Sequence, residues 1–177
     1  MRHTRLIAAV LLLAAALPAL GGGEEQAVQQ AFPQAARLDK TTLFLDAAEQ
    51  ERTAELARAP VDSGLFNVYR ALGPDGRLLG YAFIDSRTVR TKPATFLVAL
   101  GPDGRVREVR VLGWGEPGEY RPGERWLGQF RDRGLDGELR LGAGVQAMSG
   151  ASFTSRTLTD GVRRILAIYK LKLAARD

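Results

Sequence analysis

The hydroxyl-bearing residues best placed to do chemistry lie together near the end of the chain. Residues 149–154 read Ser-Gly-Ala-Ser-Phe-Thr and precede an amphipathic stretch. Backbone N–H groups at a helix start attract anions, and glycine lets a phosphate approach the backbone closely. The residues that could form such an anion site are Ser149, Gly150, Ser152, Thr154 and Ser155. The simpler interpretation is that these residues only cap the helix.

Composition limits the chemistry that the domain could perform. The chain contains no Cys, and its one His is His3. Disulfides, zinc–thiolate sites, Ser-His-Asp triads and His-ligated haem are therefore excluded from the rest of the chain. A flavin linked through a His or Cys side chain is excluded for the same reason. We expect no metal site.

The N-terminus has the pattern of a secretory signal peptide. Basic side chains at residues 2–5 precede an almost wholly apolar run over residues 6–20, which glycines follow. This run is shorter than the ~20 residues that a membrane-spanning helix needs. We predict a signal peptide over residues 1–21 and a periplasmic or otherwise extracytoplasmic protein. An uncleaved N-terminal anchor is the alternative.

The charge pattern argues against a nucleic-acid partner. The formal charge is +5, and without Arg2 and Arg5 it falls to +3, with 23 basic against 20 acidic side chains. The basic residues are scattered among acidic ones, whereas nucleic-acid binding favours a concentrated basic stripe. We therefore expect no nucleic-acid binding.

A repeated turn sequence predicts the centre of the fold. Gly-Pro-Asp-Gly occurs at residues 73–76 and again at residues 101–104. Proline presets φ, aspartate bonds back to the backbone, and the last glycine accepts a positive φ. The strands expected around the two turns, as two hairpins of one antiparallel sheet, are residues 65–72, 78–84, 95–100 and 106–112.

Helical patterns flank this sheet, so the fold class is α+β. Periodicity predicts short helices, a short first strand and a long C-terminal helix. These elements are helices at about residues 24–32, 46–58, 125–130 and 157–173 and a strand at 41–45. Residues 134–144 are expected to form a loop with room for one edge strand. In the last helix, Arg163, Arg164 and Lys170 are expected on the solvent side.

The order of residues in the hydroxyl-rich segment resembles the flavinylation motif of the FMN-binding domain family. That family includes the flavin subunits of sodium-pumping quinone reductases and related electron-transport complexes. There, a flavin transferase cleaves FAD and joins FMN through its phosphate to the last hydroxyl of the motif. The resemblance implies Thr154 as the acceptor, with Ser149, Gly150, Ala151 and Ser152 at the preceding motif positions.

Other segments extend the resemblance from about Phe32 to the C-terminus, implying an FMN-binding domain over residues 22–177. Glu116, Pro117 and Gly118 look like the family's loop near the flavin, and Gly80-Tyr81-Ala82 looks like one of its strands. Trp114 and Tyr81 are candidate ring contacts, although core packing explains aromatic residues equally well.

One position departs from the family pattern. Gln146 stands where an acidic residue usually opens the motif. If attachment needs that carboxylate, FMN would bind noncovalently or not at all.

The function implied by the resemblance is an exported electron carrier. Its partners would be a flavin transferase during maturation and an unidentified redox protein or membrane complex. The alternatives are a noncovalent FMN binder and an exported binding module for a protein or polysaccharide. A glycoside hydrolase using Glu116, Glu119 and Glu124 is a further rival, against the simpler reading of a solvated acidic loop.

Overall fold

A computed structural model describes residues 22–174, so the expected signal peptide over residues 1–21 lies outside the described residues. The described part of the chain has an antiparallel sheet packed with helices, which confirms the α+β fold class. No helix within residues 22–174 is long and apolar enough to cross a membrane.

The elements follow the predicted order closely. The helices are α1 (Gly23–Ala31), α2 (Ala47–Ala57), α3 (Glu124–Leu127) and α4 (Ser152–Lys172). The strands are β1 (Arg37–Phe44), β2 (Leu65–Leu72), β3 (Leu78–Thr88), β4 (Pro93–Leu100) and β5 (Val106–Trp114). Short 3-10 segments occur at Gly118–Tyr120 and Gly128–Phe130.

The sheet is a meander in which each strand pairs with its neighbours in the chain, in the order β1-β2-β3-β4-β5. Both repeated turns have the expected geometry. Gly76 and Gly104 adopt φ values of 77° and 75°. The aspartate before each glycine accepts the N–H two residues further along at 3.1 Å. The two predicted hairpins are therefore confirmed.

Helices bury both faces of the sheet. One face packs against α4 in the larger core, which includes Phe83, Phe96 and Ile165. The other face packs against α1 in a smaller core, which includes Val28 and Ala82. Alternation of side chains along β3 and β4 supplies both cores, because successive residues of a strand point to opposite faces.

The long C-terminal helix begins earlier than the sequence pattern predicts. It starts at Ser152 rather than near residue 157, so the second half of the hydroxyl-rich segment forms its first turn. The hydrophobic stripe becomes regular only from Leu158, which is why periodicity missed this turn.

The expectation that Arg163 and Arg164 face solvent is wrong, since each is only 4% exposed. The Arg163 guanidinium donates to the backbone carbonyls of Ala57 and Leu139. The Arg164 guanidinium donates to the Pro60 carbonyl and pairs with Asp85, at 2.8 and 3.3 Å. Helix α2 and the segments that follow it cover this side of α4, which residue spacing alone cannot reveal.

Residues 134–144 form a loop, as expected, without the edge strand that the sequence allowed. Asp136 Oδ1 accepts the N–H groups of Glu138 and Leu139 at 2.9 and 2.8 Å, which bends the backbone into a turn. The end of this segment makes one isolated β-bridge, between Leu141 and Val145. The first strand is longer than expected and begins at Arg37 rather than at Thr41.

The two turn glycines provide a matched test of packing. A Cβ on Gly104 would lie 2.0 Å from the Tyr169 ring, whereas a Cβ on Gly76 would meet nothing within 4 Å. Gly76→Ala should cost about 1–2 kcal/mol, because alanine tolerates a positive φ poorly. Gly104→Ala should cost roughly a further 1–3 kcal/mol, because the ring must move.

Urea unfolding of both variants beside the wild type measures the difference. Equal losses of unfolding free energy in the two variants would contradict the packing of Tyr169 against the second turn.

Candidate functional site

The turn between β3 and β4, residues 89–92, is held by one carboxylate. Glu116 Oε1 accepts the backbone N–H groups of Arg90, Thr91 and Lys92 at 3.0, 2.6 and 2.7 Å. The N–H groups of Thr91 and Lys92, followed by that of Arg90, hold the pKa of the Glu116 carboxyl below its usual value. The carboxylate therefore acts as a charged staple across the turn.

Further contacts fix the loop that carries Glu116, residues 115–123, which we call the Glu116 loop. The Gly115 N–H donates to the Pro93 carbonyl at 2.9 Å. A Cβ on Gly115 would lie only 2.8 Å from that same carbonyl oxygen, so this close approach requires glycine. The Trp114 indole Nε1–H donates to the Pro117 carbonyl at 3.1 Å. The start of the loop is thus anchored to the end of the sheet.

The hydroxyl-rich segment meets this loop at the start of α4. Gly150 has a φ of 75°, and Ala151 is the N-cap with no side-chain capping bond. The interpretation that Ser and Thr side chains cap the helix is therefore wrong. The N–H groups of residues 152–154 lie in the first turn, where no preceding carbonyl of the helix is available to accept them. They remain available to an anion.

Thr154 lies on the buried side of that first turn and is 1% exposed. Its Oγ1 donates a hydrogen bond to the Tyr120 carbonyl of the Glu116 loop at 2.9 Å. The neighbouring Ser155 Oγ accepts the Met148 N–H at 2.8 Å, which closes the bend before the helix. The implied acceptor hydroxyl is thus well ordered and covered by the loop.

A pocket opens where the β3–β4 turn, the Glu116 loop and the α4 N-terminus meet. Its lining residues are Val89, Arg90, Glu116, Tyr120, Gly150, Ala151, Phe153 and Thr154. The pocket holds a cavity of about 30 Å³ and opens to solvent. That volume lies far below the ~300–1,000 Å³ typical of ligand pockets, so a large ligand would be only partly enclosed.

The pocket brings together half of the residues that the resemblance implies. Glu116, Gly150, Ala151 and Thr154 line it. The other four are exposed beside it: Ser149 and Ser152 in the motif, and Pro117 and Gly118 at the start of the 3-10 segment.

The two candidate aromatic contacts do not line the pocket. Tyr81 is 1% exposed and packs edge-to-face on Tyr169 in the larger core, with the ring centres 5.7 Å apart. Trp114 supports the Glu116 loop through its hydrogen bond to Pro117. Both residues therefore have structural roles in the described fold.

Of the loop glutamates, Glu116 is poorly suited to catalyse hydrolysis. Glu116 is committed to the β3–β4 turn, and its lowered pKa disfavours a role as a proton donor. Glu119 and Glu124 are exposed. Within residues 22–174, no group of three or more His, Cys, Asp or Glu side chains could hold a metal ion.

Sequence reasoning did not assign four residues of the pocket, namely Val89, Arg90, Tyr120 and Phe153. Strands β3 and β4 are longer than predicted, and the tight turn between them brings Arg90 to the pocket. Phe153 occupies the variable position of the motif and is 62% exposed. The exposure of this aromatic side chain depends on tertiary packing, so no local pattern signals it.

The Glu116 staple predicts a specific pH dependence of stability. Because folding lowers the pKa of this carboxyl, its contribution is present above the ordinary value of 4.5 and is lost as pH falls through the lower folded value. Glu116→Gln should therefore be less stable than the wild type at pH 7. The difference between the two should shrink steadily below pH 4.5.

Thermal unfolding from pH 7 to pH 3 measures this difference, with Glu119→Gln in the same loop as the control. A wild-type advantage over Glu116→Gln that is constant across this range would rule out the charged staple.

Comparison with known proteins found one family match and a similar solved structure. Residues 91–167, which span the site from Thr91 to α4, match the model of the FMN-binding domain family. No curated protein matches the chain. Among solved structures, NqrC of Shewanella oneidensis is similar at 16% identity and a TM-score of 0.48, over 80% of this chain and 81% of NqrC. The family match confirms, over residues 91–167, the resemblance inferred from the motif, and it supports a flavin-binding electron carrier.

Proposed function

We propose that the chain is an exported electron carrier with FMN attached through its phosphate to Thr154. The observation that carries this proposal is the position of Thr154. Its side chain lines a pocket shared with Arg90 and Glu116, inside the segment that matches the FMN-binding domain. The flavin transferase would supply FMN from FAD, as the resemblance of the motif implies.

The residues around Thr154 suit a phosphate. The N–H groups at the start of α4 and the positive end of the helix dipole favour a negative charge there. Gly150 leaves the backbone open, since a Cβ at this position would meet nothing within 4 Å. The Arg90 side chain lines the same pocket and would add a positive charge.

The remaining lining suits one side of a flavin ring. Val89, Tyr120 and Phe153 provide apolar and aromatic surface, while the pocket is too small to enclose the whole cofactor. Bound FMN supplies the electron transfer itself. A ring held on one side and exposed on the other would exchange electrons with a docked protein, without an acid or base from this chain.

Export and the partners rest on the sequence. The apolar segment before residue 22 would direct the chain out of the cytoplasm, where an unidentified redox protein or membrane complex would give or accept electrons. A phosphate ester would keep the flavin bound even where free FMN is scarce. This linkage also fits a chain with no Cys and with its single His at position 3.

The covalent link is tested by the denatured intact mass of the chain after co-expression with a flavin transferase. The wild type and Thr154→Ser should gain the mass of FMN minus water, because both keep a hydroxyl. Thr154→Val should show no gain, and Ser149→Ala and Ser152→Ala should still be modified.

Two other outcomes would contradict the covalent proposal. An unmodified but yellow native protein would indicate noncovalent FMN, and Gln146→Asp would then show whether the missing acidic residue is the cause. An unmodified, colourless protein would instead favour an exported module that binds a protein or polysaccharide.

A further inference from the structure

The acceptor hydroxyl is covered in this structure. Thr154 is 1% exposed, and the backbone of Tyr120 lies over it, with Oγ1 donating to the Tyr120 carbonyl at 2.9 Å. An enzyme that modifies this oxygen must reach it with a phosphate and remove its proton. Neither step is compatible with a buried hydroxyl whose proton already points at a backbone carbonyl.

We propose that the Glu116 loop is a latch over Thr154. The loop opens for flavin attachment, and the attached flavin then keeps it open. This inference rests on the proposed function, since it assumes that Thr154 is the acceptor. It assigns the Tyr120 carbonyl a positioning role, because that carbonyl fixes the direction of the Thr154 hydroxyl before attachment.

The loop is fixed at its start and exposed over most of its middle, residues 117–121. Its start is pinned to the sheet, because Gly115 donates to Pro93 and Glu116 holds the β3–β4 turn. The following 3-10 segment, Gly118–Tyr120, is flanked by exposed residues and contacts α4 through the hydrogen bond from Thr154. Release of that bond would free the segment while leaving the Glu116 staple intact.

The chemistry of attachment removes this bond. Thr154 Oγ1 attacks the phosphorus on the FMN side of FAD, the phosphoanhydride bond breaks, and AMP leaves. The hydroxyl proton passes to a base of the transferase. The product oxygen is bonded to carbon and phosphorus and carries no hydrogen, so it cannot donate to the Tyr120 carbonyl. Two acceptor oxygens would then face each other, which favours the open loop.

Opening would also make room for the cofactor. Tyr120 lines the pocket, whose cavity of about 30 Å³ is too small for FMN. Movement of the 3-10 segment away from α4 would widen the pocket beside the newly attached phosphate. The closed loop is therefore the form of the unmodified chain.

Hydrogen exchange of the Tyr120 and Arg121 amides reports on the latch. In the closed loop these amides donate to the carbonyls of Pro117 and Gly118 at 3.1 and 3.0 Å. Exchange is followed by mass spectrometry on the full chain, purified with and without flavin attached. The first Gly-Pro-Asp-Gly turn, residues 73–76, is the internal control and should exchange equally in every form.

Without flavin, wild type and Thr154→Ser should exchange slowly in the loop, since both can donate to Tyr120. Thr154→Val and Thr154→Ala should exchange roughly three- to tenfold faster, as expected for the loss of one hydrogen bond. Flavin-bearing wild type should match Thr154→Val. This last comparison separates a latch released by attachment from a loop held by packing.

Two results would overturn the latch. If the loop amides of Thr154→Val exchange as slowly as those of the wild type, the hydrogen bond from Thr154 does not hold the loop closed. Equal protection in the flavin-bearing and unmodified wild type would show that the loop closes again. The comparison of amide exchange between Thr154→Val and Thr154→Ser needs no flavin. It therefore tests the latch even if flavin attachment fails. A failure of attachment would instead overturn the proposed function.

Discussion

One carboxylate oxygen, Glu116 Oε1, joins the two parts of the chain on which the site depends. By accepting three successive N–H groups, it fixes the β3–β4 turn and the Glu116 loop in one arrangement. That arrangement places Arg90 on one side of the pocket and Tyr120 over Thr154. The site is thus assembled mainly by backbone hydrogen bonds to ionised or polar groups. Such a construction suits the holding of a cofactor better than proton transfer.

The other side of the site depends on α4, whose position is fixed by two buried guanidinium groups. Arg163 and Arg164 donate to backbone carbonyls on the segments that follow α2 and α3, including those of Pro60 and Leu139. Leu139 is buried, so its carbonyl would otherwise lack a hydrogen bond, which would cost free energy. Because the helix is anchored beyond its first turn, Thr154 is presented at a defined place. Movement at the site is then expected in the loop rather than in the helix.

Local signals predicted the parts of the fold that local chemistry determines. Both Gly-Pro-Asp-Gly turns are where the sequence placed them, and α2 follows Asp46 within the range predicted for that helix. The motif identified Thr154, and the loop resemblance identified Glu116. Other features depend on which segments meet in space. Arg90 reaches the pocket only through a tight turn, and the two buried arginines of α4 look solvent-exposed by spacing alone.

We expect Thr154, and not a neighbouring hydroxyl, to carry the flavin. Cleavage after Arg140 and Arg156 releases a peptide, residues 141–156, that contains Ser149, Ser152, Thr154 and Ser155. Fragmentation of this peptide by tandem mass spectrometry, from chain produced with a flavin transferase, assigns the modified residue directly. The account predicts fragments that place the FMN phosphate on Thr154. Fragments that place it on a serine, or a peptide that carries no flavin, would contradict it.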